Sequence, residues 1–411
     1  MSVTYPTTWA VSGDADRPLS FRWRPTAIAF ALMALGTLYL ASTVSGRQAA
    51  LFLVGALAGI VLYHAAFGFT SSWRAFLVHA RGRGVRAQML MLALTCLVFF
   101  PALGSGHLFS QAVRGSISPL GIGVVLGAFL FGVGMQLGGG CASGTLYTAS
   151  GGDLRMVVTL LAFIAGAVAG SAHLPWWESL PALKPVSLVT AFGVVGGLAI
   201  SMAAFATVAA LTVWIERRRH GSLEQPAPLT GATVRGAGVP AGNMLRGPWP
   251  IVAGAVGLAA VNILTLAIAG RPWGVTGAFS LWGTKVLAAS GVAVESWRYF
   301  APAARRTELH ASVLADVTSV MDFGIVIGAA TAATLAGRFA PAMRANGKSL
   351  AAALLGGLLL GYGARIAYGC NIGAFFRGIA SGSVHGWIWF PSALAGNFAG
   401  AKLRPFFGLR L

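Results

Sequence analysis

Apolar stretches recur along the whole chain, at 26–43, 49–67, 89–100, 121–137, 156–170, 186–214, 251–270, 324–335, 350–361 and 387–400. Several reach the roughly 20 residues that a helix needs to cross a bilayer. Others are shorter or broken by glycine, which membrane helices tolerate better than soluble ones. The pattern predicts an all-α polytopic membrane protein with about ten to thirteen helices, short ones included. Polar stretches divide the rest. Residues 1–25 form a tail with Arg17, Arg22 and Arg24 and no apolar core, so no secretory signal is expected. Residues 216–248 hold Arg217, Arg218, Arg219 and His220, then Pro226, Pro228, Pro240 and Pro248. This stretch is too polar to span and too rich in helix breakers to be one helix, and it reads as a linker. It separates two membrane segments, 26–215 and 249–411.

The two segments share a motif. Gly132-Val133-Gly134-Met135-Gln136-Leu137-Gly138-Gly139-Gly140-Cys141-Ala142-Ser143-Gly144 returns as Gly361-Tyr362-Gly363-Ala364-Arg365-Ile366-Ala367-Tyr368-Gly369-Cys370-Asn371-Ile372-Gly373, and four glycines and the cysteine coincide. Downstream, Ala165-Gly166-Ala167-Val168-Ala169-Gly170 answers Ala395-Gly396-Asn397-Phe398-Ala399-Gly400 at nearly the same spacing. A weaker echo links Phe69-Thr70-Ser71-Ser72-Trp73 with Phe279-Ser280-Leu281-Trp282. Duplicated membrane chains build their sites where equivalent pieces of the two halves meet. Placing the arginines of the tail, of residues 74–86 and of 217–219 on the cytoplasmic side gives the two halves opposite orientations, short helices meeting near the midplane. Arg298, Arg305 and Arg306 go against that topology by falling outside.

Composition narrows the function. The chain is 56% hydrophobic and 9% charged, with a mean hydropathy of +0.75. Its net charge of +19 comes from 29 Lys and Arg against ten acids. In a membrane chain this excess orients loops and meets anionic lipid, so no nucleic-acid partner is expected. No acid is placed midway along an apolar stretch, which argues against a carboxylate proton relay and against a site for a hard cation. The three cysteines, Cys96, Cys141 and Cys370, form no CxxC pair and no zinc-ligand spacing with histidine. No metal or cofactor is expected, and the thiols are expected to stay free.

The candidate chemistry lies at the duplicated motif. Three successive glycines end a helix near Leu137 and open a loop through Cys141, with a short helix resuming from about Ser143. The second copy predicts the same around residues 368–371. Irregular backbone at membrane depth survives where it lines a cavity or is buried in protein, and the N–H groups of the following helix suit an anion. Gly140 and Gly369 belong to these loops. Gln136 and Arg365 occupy equivalent polar positions five residues before each cysteine, and Ser143 and Asn371 can donate to an oxyanion or cap the short helices. A thiol here can donate S–H to a soft sulfur, carry a persulfide or exchange disulfides. Trp73 with Arg74 and Trp282 with Lys285 read as interfacial anchors. Cys96, in a plain apolar run, reads as core.

These motifs, with Thr276-Gly277-Ala278-Phe279-Ser280-Leu281-Trp282-Gly283, resemble the YeeE/YedE family of sulfur-compound transporters over most of residues 50–400. The resemblance implies an hourglass-shaped inverted repeat in the bacterial inner membrane that takes up thiosulfate or a related sulfur anion. Cys141 and Cys370 would line the central passage and hand the ion across by S–H contacts, with a cytoplasmic sulfur-carrier or rhodanese-like partner. Some members carry a further cysteine near residues 68–72, where this chain has Gly68-Phe69-Thr70-Ser71-Ser72. Two other readings compete. One is a membrane thiol enzyme passing persulfide sulfur to a soluble carrier. The other is a structural subunit, which leaves the paired cysteines unexplained.

Overall fold

The structure is a computed structural model that describes residues 23–224, 244–339 and 346–410. Most of the N-terminal tail and most of the linker, including Pro226, Pro228 and Pro240, lie outside the described residues. In chain order the helices are α1 (Trp23–Thr43), α2 (Gly46–His64), α3 (Phe69–His79), α4 (Arg83–Ser105), α5 (Ile122–Gly138), α6 (Ala142–Ser150), α7 (Leu154–Glu178) and α8 (Leu188–His220). There follow α9 (Ile251–Ala269), α10 (Thr276–Ala289), α11 (Ala303–His310), α12 (Val317–Leu335) and α13 (Gly347–Ile366). A wide-turn π-helical segment, Asn371–Phe376, runs into α14 (Arg377–Ala380), and α15 (Val384–Leu403) closes the chain. Among the described residues, nine helical stretches are long and apolar enough to cross a membrane, so the all-α polytopic expectation holds.

The helices pack in exchanged pairs. α2 packs on α12 as α9 packs on α4, and α7 on α13 as α15 on α5. α3 meets α15 as α10 meets α7, while α2 and α9, and α5 and α13, meet each other. The core therefore lies between the two segments rather than inside either. Backbones approach closely enough that a Cβ at Gly361 would overlap the Phe163 carbonyl oxygen, and one at Gly132 that of Ala393. Without a hydrophobic force between helices in lipid, contacts of this kind hold a bundle together.

Hydrogen bonds at the helix ends give directions. Arg47 at the start of α2 donates to the Ala269 carbonyl at the end of α9, and Trp249 before α9 donates to His64 at the end of α2. These two equivalent helices are antiparallel. So are α5 and α13: Gly127 faces Gly363, while Gly134 faces Gly356. One end of the bundle carries Arg86 and the start of α4. The other carries Arg271 and Asp316, where α9 finishes and α12 starts.

Three sequence expectations change. Glu216 to His220, read as linker, complete α8, because Glu216 is buried under Arg81 (3.3 Å) and Arg86 (2.8 Å) and accepts the backbone N–H of Gly82 and Glu224. Removing one member of such a buried pair strands the other charge. Glu216→Ala is expected to destabilise the purified protein by about 3 kcal/mol, visible as a lower midpoint in a thermal melt. An unchanged melt would show that the pair contributes nothing. Trp73 is no interfacial anchor: it is fully buried and donates to Gln88 at 2.7 Å. Trp282 stacks on Phe323 at 5.2 Å and donates to Ser319, while Lys285 binds the carbonyls of Leu309 and Ala311. Third, Asp322, which lies outside the apolar stretch read as 324–335, falls inside α12 and is fully buried.

Candidate functional site

The two cysteine loops take the predicted form. α5 stops at Gly138, Cys141 caps α6, and its Sγ accepts the Gly144 N–H at 3.4 Å with Ser143 Oγ at the same distance. α13 stops at Ile366, and Cys370 precedes the wide-turn helix. Gly369 has φ +147, and a Cβ there would strike Ala374 N at 2.6 Å, so no larger residue completes this turn. Gly140 is crowded by Thr145 N at 3.1 Å. Both cysteines are buried free thiols in one apolar cluster, and α6 touches the helix that follows Cys370. Cys96 is buried core, as expected.

On the short helix after each cysteine there is room. A Cβ placed on Gly144 would meet Cys141 Sγ at 3.5 Å and nothing else within 4 Å; one on Gly373 would meet Thr276 Oγ1 at 3.9 Å. These glycines occupy equivalent places in the repeat, three residues after their cysteines. In a bundle whose other shared glycines press against backbone, the pair marks unfilled space, next to the Cys141 sulfur at Gly144 and facing Thr276 on the turn after Cys370 at Gly373. Asn371, the residue after Cys370, is fully buried, with neither its amide nitrogen nor its carbonyl oxygen paired. A buried amide left without partners is costly, and it supplies both a donor and an acceptor to whatever occupies the space.

Gln136 and Arg365, alike in sequence position, differ in surroundings. Gln136 is fully buried and donates to Asn397 Oδ1 (2.7 Å) and the Thr70 carbonyl (3.3 Å), while Arg74 reaches its Oε1 at 3.5 Å. Its carbonyl accepts from Arg404 at 2.6 Å, and Arg155 binds the next carbonyl, that of Leu137. Gln136 thus fixes the end of α5, and with it the Cys141 loop, to α3 and α15. Burial, then the neighbouring guanidiniums of Arg74 and Arg155, pull the Arg404 pKa down to about 9. Three cationic groups therefore crowd this end of α5. Arg365 lies at the opposite end of the bundle. Its guanidinium sits 4.6 Å from the Tyr299 ring centre, which Arg305 approaches to 4.3 Å, and its Nε is unpartnered.

Sequence reasoning missed Arg377, whose Nε binds the Gly373 carbonyl at 3.0 Å and holds the turn beside Cys370. An arginine seven residues after the cysteine, within an apolar run, was its signal. It gave Gly144 and Gly373 no role of their own.

Comparison with known proteins agrees with this architecture. The family model described as Sulphur transport matches residues 64–399. The thiosulfate transporter TsuA of Spirochaeta thermophila is 28% identical over 353 residues, covering 84% of this chain and 96% of that protein. The probable transporter YedE of Escherichia coli K12 is 32% identical over 154 residues, 38% of this chain and 37% of the relative. YedE of Salmonella typhimurium is 34% identical over 135 residues, 33% of each. Against the two YedE proteins the chain thus spans about a third of their length.

Proposed function

Since the chain belongs to the Sulphur transport family, with residues 64–399 matched, we propose that it is an inverted-repeat transporter of the bacterial inner membrane that takes up thiosulfate or a related sulfur anion. The observation that carries this reading is the pair of buried free thiols at equivalent positions, with an open glycine position three residues after each and with their short helices in contact. Thiosulfate has a soft terminal sulfur and hard oxyanion oxygens. The Cys141 and Cys370 S–H groups suit the sulfur as weak donors, and Asn371 and Ser143 suit the oxygens. The antiparallel course of α2 and α9, and of α5 and α13, supports the inverted plan. Membrane segments 26–215 and 249–411 are then its two halves.

Arg81, Arg83, Arg86 and Arg217 to Arg219 mark their end of the bundle as cytoplasmic by the positive-inside rule. The anion enters from the Arg271 end, passes the two cysteines and leaves past the cations around α5. The soluble sulfur carrier implied by the resemblance would receive it there. Uptake of [35S]thiosulfate by cells lacking other thiosulfate uptake tests the reading. The full chain should restore it, and Cys141→Ala or Cys370→Ala should each reduce the rate about tenfold, some 1.4 kcal/mol in barrier. Wild-type rates in both variants would remove the thiols from the mechanism, and no uptake by the unaltered chain would remove transport itself.

A further inference from the structure

Asp322 lies in the second turn of α12, fully buried, and neither carboxyl oxygen has a hydrogen-bond partner. α12 packs on α1, α2, α6, α10 and the turn Val313–Ala315. The ionisable groups on those elements are engaged or placed elsewhere. Arg47 binds the Ala269 carbonyl, and Lys285 those of Leu309 and Ala311. Tyr63 and His64 finish α2 beside Trp249; Arg24 lies over Trp23, and Tyr39 is exposed. Tyr147 of α6 does not bond to Asp322. The N-cap of its own helix is Asp316, a group of the same sign. An unpaired carboxylate is not sustained in such an interior, so the group is neutral in this conformation.

The position connects with the passage. Thr318 precedes Asp322 by one turn on the same helix face. Its Oγ1 lies 4.0 Å from a Cβ built on the exposed Gly277, the neighbour of Thr276, whose own Oγ1 is the atom nearest the open side of the buried Gly373. The helix that carries Asp322 also packs on α6, the short helix that Cys141 caps. Toward solvent, Ser319 donates its N–H and hydroxyl to Asp316 (both 2.8 Å), and Asp316 pairs with the half-exposed Arg271 at 3.3 Å. Asp316, Ser319 and Asp322 step about 9 Å from that surface into the bundle at 1.5 Å per residue.

We propose that Asp322 is a proton-binding site that couples anion passage to proton entry, making the protein a proton–anion symporter. An ionised carboxylate beside an anion in a low-dielectric space repels it, and a proton on Asp322 removes that repulsion. Anion and proton therefore favour each other's binding, which is the condition for coupling. This inference rests on the transport reading, and one preparation separates the two: the full chain in liposomes with the membrane potential clamped.

Counterflow of [35S]thiosulfate without a pH gradient tests transport by itself, and its absence in the wild type overturns both readings. With counterflow present, an inward gradient of one pH unit should concentrate thiosulfate about tenfold, one proton per anion. A trapped pH-sensitive dye should report acidification when thiosulfate is added outside. Asp322→Asn, a neutral isostere, should still show measurable counterflow while its gradient-driven accumulation disappears. A silent dye in the wild type, or full accumulation by Asp322→Asn, overturns the proposal. The dye measurement decides by itself if the variant is not recovered folded.

Discussion

Gly144→Val and Gly373→Val are each expected to slow thiosulfate uptake by about a hundredfold, roughly 2.7 kcal/mol in barrier, without lowering the thermal midpoint of the purified protein. Both residues are buried in the short helices beside the cysteines, yet a Cβ on either meets a single atom within 4 Å. A side chain there fills space that no part of the protein uses. Glycine inside a helix costs about 0.5–1 kcal/mol relative to alanine, so Gly144→Ala should hold or raise stability while already reducing transport, with valine reducing it further. Opposite directions for stability and transport are the signature of a residue kept small for a substrate. Uptake that stays at the wild-type rate in the valine variants would show that the anion does not pass beside these glycines.

Gly361→Val is expected to abolish folding rather than transport alone. Alanine at this position would already overlap the Phe163 carbonyl oxygen and come within 2.5 Å of Ala167 N. Overpacking of an interior costs about 1–3 kcal/mol where neighbours can shift. Here the neighbours are backbone atoms of α7, so the two helices must separate along their whole contact, and the loss exceeds that range. Yield of monodisperse protein in detergent and its melting midpoint measure the effect. A variant recovered with wild-type yield and midpoint would mean that α7 and α13 do not meet at this glycine.

The four glycines shared by the motif copies were visible in the sequence, but their separate roles were not. Gly132 with Gly361 and Gly134 with Gly363 let helices touch, Gly369 lets the chain turn while Gly140 lies against the Thr145 backbone, and Gly144 and Gly373 leave room. Sequence shows that a side chain is missing; only the neighbours show why. The breaks in α5 and α13 were legible because glycine runs and helix ends are local. Partners distant along the chain were not, so Trp73, with its aromatic and basic neighbours, looked like an interfacial anchor when it is core.

Asp322 was misjudged for a related reason. The apolar stretch was read as starting at residue 324, which left the acid at its border. In the structure Asp316 caps α12 through Ser319, the helix starts at Val317, and Asp322 falls inside it. A cap of Asp with Ser three residues on was the available signal. Arg365 was found from sequence as an arginine within an apolar run, but its place on the Tyr299 ring depends on residues 290–316, which have no counterpart between α3 and α4.

The exchanged packing of the helices bears on how the protein is made. α5 emerges from the ribosome more than 200 residues before α13 and α15, against which it packs. Until those helices arrive, its glycine-lined face has lipid or temporary neighbours for company. Insertion of the first helices is therefore separate from their packing, and the two cysteine loops come together late, when the helices of residues 249–411 pack between those already in the bilayer.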